Sequence, residues 1–152
     1  MVQPVRHEDL DPILNELCTR VIGVGIEVHR QLGLGFSESS YEEACCVQLG
    51  LQGIAFRRQI PINLHYKGRQ IGKGIIDLLI DEKLIVELKA VSQLLPVHEV
   101  QHAAYLKMTG LQLGLLMNFN VAVLKDRLKR IIAKSKISQP TSLRSSAKKD
   151  HD

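Results

Sequence analysis

Between positions 8 and 32 the apolar residues Leu10, Ile13, Leu14, Leu17, Val21, Val24 and Val28 recur at helical spacing. Gly33-Leu-Gly35 ends that pattern. Ser39 and Glu42 form a candidate capping box that opens a second helix, Ser39 to about Leu51, closed by Gly53. From Ala55 the period shortens to that of strands: 55–66, a Lys67-Gly68 turn, 70–80 and 84–90. Pro61 marks the first of these as an edge or interrupted strand. Pro96 suits the first turn of a third helix, Val97–Met108, with Gly110 near its end. Leu111–Phe119 reads as a buried strand and Val121–Ala133 as a final amphipathic helix. Residues 135–152, rich in Ser, Lys and Pro, are expected to be disordered, which leaves a single domain over 1–134. A helix crossing between 84–90 and 111–119 implies a parallel pair within a mixed sheet.

Composition adds little: 45% hydrophobic and 24% charged residues are ordinary for a globular chain. No stretch approaches a membrane span, and the first residues lack a signal-peptide pattern. Three cysteines, two of them adjacent (Cys45, Cys46), give neither a disulfide framework nor zinc spacing, so a reducing, cytoplasmic setting is expected. The net charge is +4, of which the segment from Lys134 onward supplies most, through five basic residues against two Asp. Such a tail is weak evidence for nucleic acid on its own.

The chemistry concentrates in Asp77-Leu-Leu-Ile-Asp81-Glu82-Lys83-Leu-Ile-Val-Glu87-Leu-Lys89. Two apolar runs flank a polar triplet, a hairpin signal. A three-residue loop pairs Ile80 with Leu84, and so Asp77 with Glu87, their Cβ atoms about 5 Å apart. Asp77, Glu87 and Lys89 then share one face, while Ile76, Leu78, Ile80, Leu84, Val86 and Leu88 form a core face. Two carboxylates and an ammonium on a mostly buried sheet are unfavourable unless something uses them. The set suits a divalent metal with a lysine beside it; a cross-strand ion pair is the plainer alternative.

The order of elements, with Asp…Glu-x-Lys on the second and third strands, resembles the PD-(D/E)XK nuclease superfamily. Gly35-Phe-Ser-Glu38-Ser-Ser-Tyr41 resembles the signature of the GxxExxY protein family. Glu27-Val-His29-Arg30-Gln-Leu-Gly33, Pro96-Val-His-Glu-Val-Gln101, Tyr105-Leu-Lys-Met-Thr-Gly110 and Gly114-Leu-Leu-Met-Asn118-Phe-Asn120 match it in order, over about Val21 to Ile132. The resemblance implies an α/β restriction-endonuclease-like core (α-β-β-β-α-β) with a central mixed sheet flanked by helices. It also implies a Mg²⁺-dependent nuclease, with Mn²⁺ able to substitute, acting on nucleic acid, DNA before RNA. Asp77 and Glu87 would bind the metal, with Glu38 as a third acidic group, and Lys89 would sit by the attacking water. Gln101 and Tyr105, four apart on one helix face, resemble a Gln-x-x-x-Tyr element found beside the metal in exonuclease-like branches. A helix-terminal carboxylate is the plainer reading of Glu38, and a partly buried polar pair that of Gln101 and Tyr105.

Backbone contacts by Arg30, Arg57, Arg58 and Lys73, with Lys67 and Arg69 nearby, are expected rather than base stacking, since aromatics are 4% of the chain and Trp is absent. Hairpin cations are also commonly just solvated, and His29 and Arg30 suit a helix C-terminus without any ligand. A homodimer or protein partner would help such a small domain hold a duplex. A non-catalytic nucleic-acid or protein-binding module on the same fold is the second reading. His98-Glu99-Val-Gln-His102 is literally a zinc-peptidase motif and gives a third reading. It lacks a third ligand downstream: no His, Glu or Cys occurs between His102 and His151 in the tail and only Asp126 is available, and members of the family resembled usually have an apolar residue at the place of His102. The plainer reading of His102 is a simply exposed helix residue.

Overall fold

The N-terminal helical periodicity is realised as α1, Pro12–Leu32. Asp11 caps it, its carboxylate accepting the Ile13 N–H at 2.9 Å, and Pro12 fills the first position, where no N–H is missed. Gly33, at φ 67°, ends it. In the computed structural model, which describes residues 10–124 and 128–133, there follow α2 (Glu38–Leu51), β1 (Phe56–Tyr66), β2 (Arg69–Ile80), β3 (Leu84–Lys89), α3 (Pro96–Thr109), β4 (Leu113–Asn118) and β5 (Leu128–Ile132). Glu8 and Asp9 of the predicted first helix, and the segment 135–152 expected to be disordered, lie outside the described residues. Among the described residues no helix is long and apolar enough to cross a membrane.

The strands form one sheet in the order β1-β2-β3-β4-β5. The first three run antiparallel, β3 and β4 parallel across the α3 crossover, and β4 and β5 antiparallel. This is a mixed sheet flanked by helices, as expected of a restriction-endonuclease-like core. Pro61 does lie on an edge strand. Ile80 pairs with Leu84 as the three-residue loop requires.

Two expected elements are corrected. The predicted final helix is β5: Leu128 and Ile132 pack on one core cluster, Ile131 and Ala133 on the other. That alternation, together with the unsatisfied outer edge of β4, favours a strand over the helix suggested by spacing alone. The second helix is capped by Ser37, not Ser39; the Ser37 hydroxyl accepts the Ser40 N–H at 3.2 Å. Glu42, assigned to the capping box, is bound elsewhere.

The core has two layers. On one face α1 and α2 bury Leu17, Val21, Val24, Tyr41, Cys45 and Leu49 against Leu78, Ile80, Leu84, Val86 and Leu115. Gly25 lets α1 approach β4, since a Cβ there would stand 2.6 Å from the Met117 Sδ. On the other face α3 covers the sheet, with Leu106 and Met108 against Ile60, Ile62, Ile76, Leu79 and Ile85.

Within the β1–β2 hairpin the pleat reverses. Phe56 packs with Leu78 and Ile80, whereas Ile60 and Ile62 pack with Ile76 on the opposite face. Regular alternation would put all of these residues on one face. The reversal falls where the ladder passes from Arg58↔Leu78 to Ile60↔Ile76 and skips Gln59 and Asp77. Gln59 takes φ 52° there. The expectation that Ile76 shares a core face with Leu78 and Ile80 is therefore corrected: local alternation cannot register a reversal imposed by the opposite strand.

Candidate active site

Asp77 stands at the pleat reversal, and it is also where β2 and β3 part. Their ladder runs Ile80↔Leu84, Leu79↔Ile85 and Leu78↔Val86. Beyond it β3 continues beside β4, with Glu87↔Leu116 and Lys89↔Asn118. The Asp77 carboxylate accepts the Leu88 N–H at 2.9 Å, so a side chain satisfies a strand amide at the split.

Glu87 is 8% exposed, and among the described residues its Oε1 has no hydrogen-bond partner. Burial, followed by the charge of Asp77 and a hydrogen bond to it, pushes its carboxyl up to about 9, against the pull of Lys89. Burial and the neighbouring carboxylate thus both favour the uncharged form of Glu87 while nothing is bound. Lys89 is half-buried at the end of β3. Its exit is held by Asn118, fully buried, whose amide donates to the Val91 carbonyl at 2.9 Å and accepts the Val91 N–H at 3.1 Å.

Glu38 lies in the first turn of α2. Burial raises its carboxyl, Lys89 opposes this, and Asp77 and Glu42 add to it, so Glu38 stands within the field of the strand residues. Tyr41 holds that turn in place. It is fully buried and stacks on Phe119 with ring centroids 4.7 Å apart. Its hydroxyl donates to the Gly33 carbonyl at 2.5 Å. Gly35 adopts φ 97° in the loop so formed. Tyr41 thus anchors the first turn of α2, which carries Glu38, in the core.

From α3, Gln101 donates to the Tyr105 hydroxyl at 3.3 Å. Burial raises the Tyr105 phenol, and the charges of Glu87 and Asp77 add to this, while the Ile75 backbone and Gln101 oppose it. Its ring lies against Gly74, where a Cβ would come within 2.7 Å of it. Sequence alone assigns Gly74 no role, and Asn118 none beyond its place in a matched motif, although a glycine inside a strand does signal close approach. Gly74→Ala should displace Tyr105 and lower stability by about 1–3 kcal/mol, read from urea unfolding. Retention of wild-type stability would count against this packing.

The other sequence candidates lie apart. Arg30 is exposed and forks onto Glu27. Arg57 is buried, its guanidinium on Glu82 at 2.6 and 2.7 Å. Arg58 holds Glu42 and Glu43, each at 2.8 Å. These two arginines thus bind carboxylates within the fold, contrary to the expectation that they face a phosphate backbone. Lys73 is exposed on β2. His29 is buried and its Nε2 lies 2.7 Å from the Val121 carbonyl. In the zinc-like motif, the His98 Nδ1 accepts the Leu95 N–H at 3.0 Å, while His102 is buried, its ring filling the space beside Gly114. The two imidazoles do not open onto a common site, and the expected exposure of His102 is corrected.

Among the described residues no three His, Cys, Asp or Glu side chains already converge as a metal cage. The chemistry nevertheless fits a hard cation: two facing carboxyls, one with an orphaned buried oxygen, a third acidic group within their electrostatic field and a lysine beside them. A family model described as PD-(D/E)XK nuclease superfamily matches residues 15–131. No curated protein and no solved structure matches the chain.

Proposed function

Because the chain belongs to the PD-(D/E)XK nuclease superfamily, we propose that it is a Mg²⁺-dependent nuclease that hydrolyses phosphodiester bonds in nucleic acid, DNA before RNA. Within the superfamily we assign it to the GxxExxY proteins, on Gly35, Glu38 and Tyr41 and the motifs that follow them. The observation that carries the reading is Glu87: a buried carboxyl with an unpartnered oxygen, facing Asp77. Such a group is unfavourable in isolation and becomes favourable on a cation.

Asp77, Glu87 and Glu38 are the oxygen donors that would hold Mg²⁺, or Mn²⁺ in its place. When bound, the ion supplies a water of lowered pKa and positive charge against the phosphate. Lys89 donates hydrogen bonds to the attacking water or to the phosphate oxygens as their charge grows. Gln101 and Tyr105 orient the reacting groups from above the β2–β3 split. Lys73, exposed on the strand that carries Asp77, contacts the sugar–phosphate backbone, as does Arg30 once it leaves Glu27. A cytoplasmic setting goes with the proposal, supported by three buried thiols.

The test is cleavage of single- and double-stranded DNA and RNA with Mg²⁺ or Mn²⁺, wild type beside Lys89→Ala and Asp77→Ala. Lys89→Ala should lower kcat by about 100- to 1,000-fold, and Asp77→Ala should remove metal-dependent cutting. Salt-sensitive binding without cleavage, all three proteins being folded, would overturn the nuclease reading in favour of a binding module.

A further inference from the structure

The three acidic groups of the site sit on three different elements: Glu38 on α2, Asp77 on β2 and Glu87 on β3. The β2–β3 hairpin relates Asp77 to Glu87. Nothing in that hairpin relates either of them to α2.

A network at the pleat reversal does. Glu42, one helical turn beyond Glu38, is 7% exposed. Its two carboxylate oxygens are held separately, Oε1 by the Gln59 amide at 2.6 Å and Oε2 by the Arg58 guanidinium at 2.8 Å. Arg58 also binds Glu43, so one strand residue grips two consecutive helix residues. Arg58 and Gln59 are adjacent on β1, and Gln59 stands across the ladder from Asp77 in the one pair that the register skips. The network thus joins the helix turn behind Glu38 to the strand position opposite Asp77.

The backbone at Gln59 argues that this is more than packing. At φ 52° an L-residue is strained, and glycine is the residue that adopts such a conformation freely. Neither Asn nor Asp, the usual non-glycine occupants, stands there. Gln59 is itself exposed, so burial does not require its side chain. What its side chain supplies is the amide on Glu42. Strain kept in place by the surrounding structure is characteristic of sites where geometry is functional.

We propose that Gln59 and Glu42 are positioning residues for the metal-binding carboxylates, setting the placement of Glu38 relative to Asp77 through the Gln59–Glu42–Arg58 network. The inference rests on the nuclease reading given above. It also gives Arg58 a role in alignment in place of the phosphate contact expected of a hairpin arginine.

Gln59→Gly separates positioning from folding, because it removes the amide while relieving the backbone. Thermal unfolding of the full chain should show Tm close to that of wild type, relief of the backbone at φ 52° offsetting the hydrogen bond lost from the Glu42 carboxylate. Calorimetric titration with Mn²⁺ should show affinity weakened by about tenfold or more, and kcat on the best-cut nucleic acid should fall by about 100-fold with KM within about twofold. Glu42→Gln should lower kcat in the same way. Should that variant fail to fold, Gln59→Gly alone decides. Wild-type kcat and Mn²⁺ affinity in a folded Gln59→Gly overturn the proposal while leaving the nuclease reading intact. Losses that merely track a lowered Tm overturn it as well, since they indicate a structural role. If the wild-type protein neither binds Mn²⁺ nor cuts, the nuclease reading falls and this proposal falls with it.

Discussion

Glu87→Gln is expected to make the metal-free protein markedly more stable at pH 8 and to abolish metal-dependent cutting. The sign follows from where the proton sits. In the fold the carboxyl is raised to about 9; in the unfolded chain it returns to its ordinary value of 4.5. As pH rises through that window the unfolded chain releases its proton and the folded chain does not. Stability is therefore full below the lower value and is lost progressively up to the upper one, by roughly 5 kcal/mol at pH 8. An uncharged amide of the same shape has no such dependence. Urea unfolding at pH 5, 6.5 and 8, with chelator, should show the wild-type midpoint falling with pH and that of the Glu87→Gln variant nearly level. Adding Mg²⁺ should then raise the wild-type midpoint and leave that of the variant unchanged. Parallel pH profiles for the two proteins would sink the assignment. The trade of stability for a working carboxylate is a familiar feature of active sites.

The second large effect lies at the acid end and has the opposite sign. His102 is 1% exposed, and neither ring nitrogen has a hydrogen-bond partner among the described residues. Burial lowers its pKa from 6.5 to about 4. Above the unfolded value both states are neutral and the full stability is present. Between the two values the unfolded chain takes up a proton that the folded chain refuses, so stability falls as pH falls, by about 3 kcal/mol in the limit. His102→Leu should remove that part of the acid loss. At pH 7 it should also raise stability by about 1–3 kcal/mol, because it deletes two unsatisfied polar atoms at similar volume. Unfolding midpoints at pH 7, 5.5 and 4.5 for both proteins decide it; an unchanged difference between them across that range would refute the prediction. Between pH 4.5 and 6.5 the two trends run in opposite directions and offset each other, so the Glu87 loss shows above that range and the His102 loss below it.

Much of the site was legible because its signals are local. A polar triplet between two apolar runs fixes Ile80 against Leu84, which brings Asp77 and Glu87 to one end of the hairpin, although the ladder stops at Leu78↔Val86, short of the Asp77–Glu87 pair that strict alternation predicts. The Gln101–Tyr105 pairing follows from helical spacing in the same way. What was not legible depends on partners far along the chain. Leu128–Ile132 becomes a strand because β4 offers it an edge, a fact absent from its own spacing. Arg57 and Arg58 read as solvent-facing cations until Glu82, Glu42 and Glu43 are brought beside them. His102 reads as an ordinary helix-surface histidine until Gly114 is seen to leave room for its ring. The pleat reversal needs both strands at once, since neither Gln59 nor Asp77 marks it alone.

The α3 crossover also bears on the order in which the site is made. The Ile80–Leu84 pairing closes over a three-residue turn, whereas Lys89 meets Asn118 only after the whole of α3 has been laid down between them. Short closures come early and long ones late. A chain that has formed the hairpin already has Asp77 and Glu87 on neighbouring strands, but Glu87 is then still wet and titrates as a surface carboxylate does. Its neighbour on β4, Leu116, arrives only with the crossover. Proton uptake by this one side chain therefore reports docking of the crossover rather than birth of the hairpin, and a pH jump during refolding would time that docking without any attached label.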